Sequence, residues 1–431
     1  MSAELLSNCH RVLALLVLVA VPLAALRLRG RTYAIFSGVI LLFALPPALI
    51  VEYWLTRVAP APLAPWIAAA FAYSVATAGV HLASLTAARL RARPFRALVS
   101  VPGQIYVAAG MMCLPWLLIL LPFLLLCWLL DWPTGIMLLG WLSAAPFGLG
   151  LLSILTSYRP SFEVVRFELA NEGPEEFRRM PVTRHRGLEA APLAERPLRI
   201  VQITDPHLGP WQSVDALRRT IDALLETAPD LVLLTGDFLT MEGMGSPGAL
   251  EDALSPLRRL PGRCYAIFGN HDHELPDEVR SALRANGATL LVDEATVAQT
   301  EVGPVQIVGS DYHRKDRREK LAELLDAHPR QDGQLRLLLL HDPLGFHDVP
   351  AGEVDLTLSG HTHGGQVGLV SFGSDWTVLS RTRWPDHGLF GHGGSRLYVH
   401  RGTGFYGFPL RVGVPGEHSL LEVVLPHAPG A

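Results

Sequence analysis

Five short polar groups hold most of the side chains in this sequence that could do chemistry. They are Asp205-x-His207, Gly236-Asp237, Gly269-Asn270-His271-Asp272, His341 and Gly360-His361-x-His363. With His271 and Asp272 set aside, they supply two carboxylates, one amide and four imidazoles, and no cysteine. Oxygen and imidazole donors without thiolate suit Mn²⁺, Fe or Zn²⁺ rather than a soft-metal site. Seven donors exceed the needs of one ion, whereas one carboxylate shared between two ions gives each of them four protein ligands. Two cations about 3.5–4 Å apart are the standard device for in-line displacement at phosphorus. They lower the pKa of a shared water from about 15.7 to about 7, so that hydroxide can attack at neutral pH. The donor set therefore points to hydrolysis of a phosphoester with two divalent metal ions, Mn, Fe or Zn.

Each polar group follows an apolar run. Residues 198–204 end at Asp205, 231–235 at Gly236, 264–268 at Gly269, 335–340 at His341, and 355–358 just before Gly360. Runs this short, bounded by turn residues, read as buried strands, and α/β sheets bind ligands beyond the carboxyl ends of their strands. Further strands are expected at 297–299, 305–308, 397–400 and 420–425. Between them, 213–227 reads as a helix, with Ser213 as N-cap and Val214, Leu217, Ile221 and Leu224 at helical spacing. Residues 248–259 and 276–286 are also expected to be helical, the second opening on a proline. This order predicts an α/β fold over 198–431, a two-sheet sandwich flanked by helices. Residues 159–197 read as a polar linker in which 162–169 alternates enough to form a strand.

The first 158 residues differ in kind. They hold nine Arg, three acids and no Lys, a net charge of +6 against −10 for the remainder of the 431-residue chain. Fifteen of the 17 His lie in the later part. A mean hydropathy of +0.28 and this asymmetry exclude a single soluble globule, and the acidic polar part disfavours a nucleic-acid partner. Cys9, Cys113, Cys127 and Cys264 show no paired spacing, so no disulfide framework is expected. Crossing a bilayer takes about 20 apolar residues. Apolar runs at 12–26, 32–51, 58–88, 97–130 and 132–158 predict an all-α transmembrane domain of about five helices, the first of them short. Arg27, Arg29, Arg31, then Arg89, Arg91, Arg93, Arg96, then Arg159 and Arg166 mark alternate connections as basic. The positive-inside rule then makes this a multi-pass integral membrane protein with its C-terminal domain in the cytoplasm. Glu52 and Arg57 fall after the second run, and His81 is the only ionisable side chain expected inside a span, which argues for an anchor rather than a translocation path.

Taken in order, TDPH, GDF, GNHD, LHDP and GHTHGG resemble the five blocks of the calcineurin-like metallophosphoesterase superfamily. The glycine-rich RGTGFYGFPLR at 401–411 is similar to a segment of its membrane-anchored bacterial branch. The resemblance covers about 198–425. It implies that Asp205, His207 and His363 hold one metal, that Asn270, His341 and His361 hold the other, and that Asp237 bridges them. It also implies that His271 contacts the phosphate and protonates the leaving oxygen, oriented by Asp272.

These readings together predict a membrane-anchored phosphoesterase that cleaves phosphodiester or pyrophosphate bonds. The lipid bilayer is its expected partner, and a lipid-linked molecule such as UDP-diacylglucosamine is a plausible substrate. A nuclease or cyclic-nucleotide phosphodiesterase and a non-catalytic membrane sensor or scaffold are the alternatives. The sequence names no protein partner. His273, His313, His347, His387, His392 and His418 are expected at the surface, with His392 and His400 as candidates to line the site. The charged run 313–320 reads as a solvated helix start or a headgroup contact. Residues 241–248 read as a loop able to cover the pocket.

Overall fold

The computed structural model describes residues 2–157, 161–169, 173–404 and 411–425. The chain divides between Leu155 and Thr156 into two compact units.

In the first unit, five helices are long and apolar enough to cross a membrane: Ala3–Leu28, Arg31–Val58, Ala64–Ala87, Arg93–Leu129 and Pro133–Ile154. The second helix overturns one expectation. Glu52 lies inside it, fully buried, rather than in a connection beyond it. Ser7 of the first helix donates a hydrogen bond to this carboxylate, and His10 Nδ1 stands 3.7 Å from its other oxygen. His10 Nε2 is 2.7 Å from the hydroxyl of Tyr106, in the fourth helix. A second buried pair joins His81 to Gln104 at 3.0 Å. The candidate spans therefore do carry ionisable groups. A charge ends an apolar run on paper, but the helix continues because Ser7 and His10 of the neighbouring helix face that carboxylate.

The second unit holds two seven-stranded sheets. In chain order the strands are β1 (Ser161–Glu168), β2 (Arg178–Met180), β3 (Thr183–Arg186), β4 (Leu198–Ile203), β5 (Leu231–Leu234), β6 (Cys264–Ala266), β7 (Thr289–Leu290), β8 (Glu294–Thr300), β9 (Gly303–Gly309), β10 (Leu335–Leu339), β11 (Leu356–Ser359), β12 (Gly388–His392), β13 (Ser395–Val399) and β14 (Glu417–Val424). One sheet runs β3-β1-β14-β4-β5-β6-β7 and the other β2-β12-β13-β11-β10-β9-β8. β4, β5 and β6 are mutually parallel, as are β9, β10, β11 and β13.

Side chains alternate across these strands. Ile200, Leu233 and Ile267 from one sheet meet Ile307, Leu337 and Leu358 from the other in a shared core. Val308, Leu338 and Val399 point the opposite way and are covered by Leu321 and Leu324 of the helix Arg317–Ala327. Burial on both faces explains why the central strands read as unbroken apolar runs. The helix Val214–Leu225 is capped as expected, with Ser213 accepting from the Ala216 N–H at 3.2 Å.

Residues 159–197 contribute strands to both sheets. β1 pairs with β14 in parallel along its whole length, from Ser161↔Glu417 to Glu168↔Val424. β3 adds to β1, and β2 to β12, each at a sheet edge. Their sequences, RRM and TRHR, show no apolar alternation because an edge strand is wetted along one side. A buried ionic cluster ties these pieces together. Glu163 of β1 and Glu417 of β14 flank the guanidinium of Arg401, and Arg184 of β3 lies 2.9 Å from Glu163. Tyr398 donates to Glu417. Removing one partner of a buried ion pair leaves an uncompensated charge, at a cost of about 3–5 kcal/mol. Glu417→Ala is therefore expected to lower stability by about that amount, seen as a clear drop in the thermal unfolding midpoint.

Candidate metal centre

The strand-end groups converge on one cleft. Asp205 and His207 follow β4, Asp237 follows β5, Asn270 and His271 follow β6, His341 follows β10, and His361 and His363 follow β11. Asp205, His207 and His363 bring one donor atom each within 4.8 Å of one another, and Asp237, His341 and His361 do the same. Asp205 Oδ1 stands 3.3 Å from His363 Nε2 and 3.8 Å from His207 Nε2. Asp237 Oδ2 stands 3.3 Å from His341 Nε2 and 3.7 Å from His207 Nε2. His341 Nε2 lies in turn 3.2 Å from His361 Nδ1. One oxygen of Asp237 thus faces a member of each group.

The remaining atoms of these side chains orient them. Asp205 Oδ2 accepts from the His361 N–H at 2.9 Å and the Thr204 hydroxyl at 2.7 Å. Asp237 Oδ1 accepts from the His271 N–H at 2.9 Å. The Thr235 carbonyl accepts from His341 Nδ1 at 2.7 Å, which sets Nε2 as the ring nitrogen that faces Asp237.

The backbone is bent to achieve this. Asp205, His207, Asp237, His361 and His363 all have φ between 43° and 67°, and they make up five of the ten non-glycine residues with positive φ among the described residues. Such conformations are costly and persist where the surroundings enforce them. Two glycines are enforced by contact. A Cβ on Gly269 would stand 2.2 Å from Asp237 Oδ1, and one on Gly360 would stand 2.1 Å from Asp205 Oδ2.

Burial by itself would raise both carboxyls. The imidazoles of His363, His341 and His207 nevertheless hold Asp205 well below the usual carboxylate range, and His341 and His207 do the same for Asp237. Burial pushes His207 down to about 3. His341 is lowered by burial, but Asp237 and Asp205 outweigh this and lift it to about 10. Asp205 Oδ1 and Asn270 Oδ1 are buried and accept no hydrogen bond. Ionised carboxylates, unsatisfied buried oxygens and clustered imidazoles fit divalent cations in both groups.

His271 lines the same cleft, which has a volume of about 340 Å³ and also includes Gln366 and Leu379. Its Nδ1 is 3.1 Å from Glu274. Burial lowers the imidazole, but Glu274 and Asp237 raise it above its ordinary value. The carboxylate in contact with the ring is thus that of Glu274. The Asp272 carboxylate accepts from the N–H groups of Asp237, Phe238 and Gly269 at 2.7–2.8 Å. The i, i+3 spacing of His271 and Glu274 across the turn Asp272–Glu274 was the available sequence signal.

His392 and His400 do not line the cleft, and His400 is buried, with its Nδ1 accepting from the Gly402 N–H. His387 and His418, expected at the surface, are buried at 2% and 3% exposure. The run 313–320 opens the helix Arg317–Ala327, with Arg317 and Arg318 paired to Asp342 and Asp348. Residues 241–244 form a short helix whose Glu242 and Gly243 are buried, and they do not line the cleft.

Comparison with known proteins agrees with this geometry. Residues 198–365 match the family described as calcineurin-like phosphoesterase. The chain is similar to Phosphodiesterase YaeI of Escherichia coli (strain K12), with 30% identity over 234 residues, covering 53% of this chain and 83% of that protein. It is 31% identical over 242 residues to the uncharacterized metallophosphoesterase YkoQ of Bacillus subtilis (strain 168), covering 53% of this chain and 85% of that one. A transmembrane protein with metallophosphoesterase domain from Danio rerio is 26% identical over 263 residues, or 56% of each chain.

A ligand that binds only the folded state stabilises it by about 2.7 kcal/mol at a hundredfold excess over its Kd. Stripping the protein with a chelator is expected to lower its thermal midpoint, and Mn²⁺ to restore it. The same Mn²⁺ addition is expected to leave the midpoint of Asp237→Ala nearly unchanged.

Proposed function

The chain belongs to the calcineurin-like phosphoesterases, and from that premise we propose that it hydrolyses phosphodiester or pyrophosphate bonds with two divalent cations while anchored in a membrane. Asp205, His207 and His363 would hold one cation, Asn270, His341 and His361 the other, and Asp237 both. The observation that carries this reading is the position of Asp237 Oδ2, 3.7 Å from His207 in one group and 3.3 Å from His341 in the other. When bound, the cations acidify the attacking water and offset the charge that builds on the phosphoryl oxygens.

The chain's own side chains do the rest. The Thr235 carbonyl and the Thr204 hydroxyl fix the orientations of His341 and Asp205. His271, raised in basicity and held at Nδ1 by Glu274, carries a proton on the cleft side for the departing oxygen. General acid help of this kind is worth about 10²–10⁴-fold when the leaving group is poor.

Residues 1–158 act as the anchor, with five spans and the catalytic domain on the cytoplasmic side, and residues 159–197 join the anchor to the domain over 198–431 and add strands β1, β2 and β3 to its sheets. The anchor favours a lipid-linked substrate, of which UDP-diacylglucosamine is one example. The net charge of −10 beyond residue 158 speaks against long nucleic acids.

The decisive test is hydrolysis of bis-p-nitrophenyl phosphate by the purified full chain, metal-free and with Mn²⁺, beside Asp237→Ala. Turnover that requires metal and disappears in the variant is expected. Two bound ions with no turnover of this diester would favour the sensor reading. His271→Ala is expected to lose about 10²–10⁴-fold on an alkyl diester, and far less on the p-nitrophenyl diester, whose leaving group needs no proton.

A further inference from the structure

Among the described residues of the second unit, six large apolar side chains are exposed, and five of them fall within residues 369–384. They are Leu369 (45%), Phe372 (79%), Trp376 (43%), Val378 (49%) and Trp384 (39%); the sixth is Val297. Water-facing aromatic side chains gathered into one segment mark an interaction surface rather than ordinary scatter.

The segment is well held at its base. The Leu369 N–H donates to the Trp376 carbonyl at 2.8 Å, and the Val378 N–H to the Val367 carbonyl at 3.0 Å. Thr377, 1% exposed, donates to buried Asp386 at 2.6 Å. These bonds tie the backbone of the segment, and among the described residues its apolar side chains stay exposed. Arg381 and Arg383 are exposed within the same segment, and no acidic side chain pairs with either among the described residues. Arg383 lies 5.9 Å from the Trp384 ring. Against these two arginines the segment has one acid, exposed Asp375, so it carries a net +1 within the net −10 of residues 159–431. The segment also reaches the site, since Leu379 lines the cleft beside His361 and His363.

Trp and Phe beside Arg is the composition that partitions into the headgroup region of a bilayer, where rings sit at the interface and guanidinium groups meet lipid phosphates. Five helices of the same chain are long and apolar enough to cross a membrane, which makes a bilayer the partner to test for this surface. We propose that residues 369–384 form an interfacial loop that seats in the surface of an anionic bilayer and sets the metal cleft against a lipid phosphate ester. This inference rests on the phosphoesterase reading for the identity of the ester, but not for the docking itself.

The test uses the full chain in nanodiscs of phosphatidylglycerol and phosphatidylcholine. Phe372→Cys carries an environment-sensitive dye in a Cys9→Ser background, Cys9 being the exposed one of the four cysteines and the other three buried. Blue-shifted emission is expected, with quenching by spin-labelled lipid and protection from aqueous iodide. Arg381→Glu with Arg383→Glu, or discs of phosphatidylcholine alone, should reverse the shift. Free access of iodide with no quenching by lipid would overturn the proposal. Protection from both quenchers would also overturn it, by assigning the loop to a protein contact. Diester turnover measured on the same preparation keeps the two readings apart: its absence would sink the hydrolase and leave the docking result standing.

Discussion

Asp205 and Asp237 divide their carboxylates between two tasks. In each, one oxygen is engaged by the backbone N–H of a neighbouring motif, that of His361 for Asp205 and that of His271 for Asp237. The other oxygen points at imidazoles. The first contact locks the loop after one strand to the loop after another, and the second collects positive charge between them. The sheets, the glycines and the bent backbone around the cleft all serve to bring these two carboxylates together without letting them be neutralised by protons. The surrounding histidines keep both ionised even at full burial, a condition that a cation-binding centre needs and that an apolar pocket could not maintain.

The strained conformations follow from the same demand. A strand that ends in a donor side chain must turn sharply for that side chain to face back over the sheet edge. At Asp205, His207, Asp237, His361 and His363 the turn is made in the left-handed region by residues with a Cβ. Asp is among the residues that enter that region most readily, and His is enriched there too, so the residue types that bind metal are also types that tolerate the turn. Where even they would collide, the chain has Gly269 and Gly360. Strain and chemistry occupy the same few positions because one geometric requirement produces both.

What could be read from the sequence depended on how local each feature is. The central strands and their polar ends were legible because an apolar run followed by a turn is written in consecutive residues. Glu274 was missed because its partnership with His271 exists only once the turn Asp272–Glu274 has formed. Glu52 was placed outside its helix because counting apolar residues treats any charge as an end, whereas Ser7 and His10, more than forty positions away, make the charge acceptable. β2 and β3 were invisible for the opposite reason. They bury little, so their sequences need little pattern, and their partners β12 and β1 supply the hydrogen bonds that define them.

The place of β14 has a consequence for how the protein is made. It lies between β1 and β4, parallel to one and antiparallel to the other, and its Glu417 enters the cluster around Arg401. While the ribosome is still synthesising the segments between, β1 and β4 have no direct contact and each presents an unpaired edge. The first sheet can close only after residue 424 has left the exit tunnel. Until then the growing chain exposes apolar strand edges, which make an unfinished domain prone to aggregate. A stop codon anywhere before β14 would split the sheet down its middle rather than trim its end.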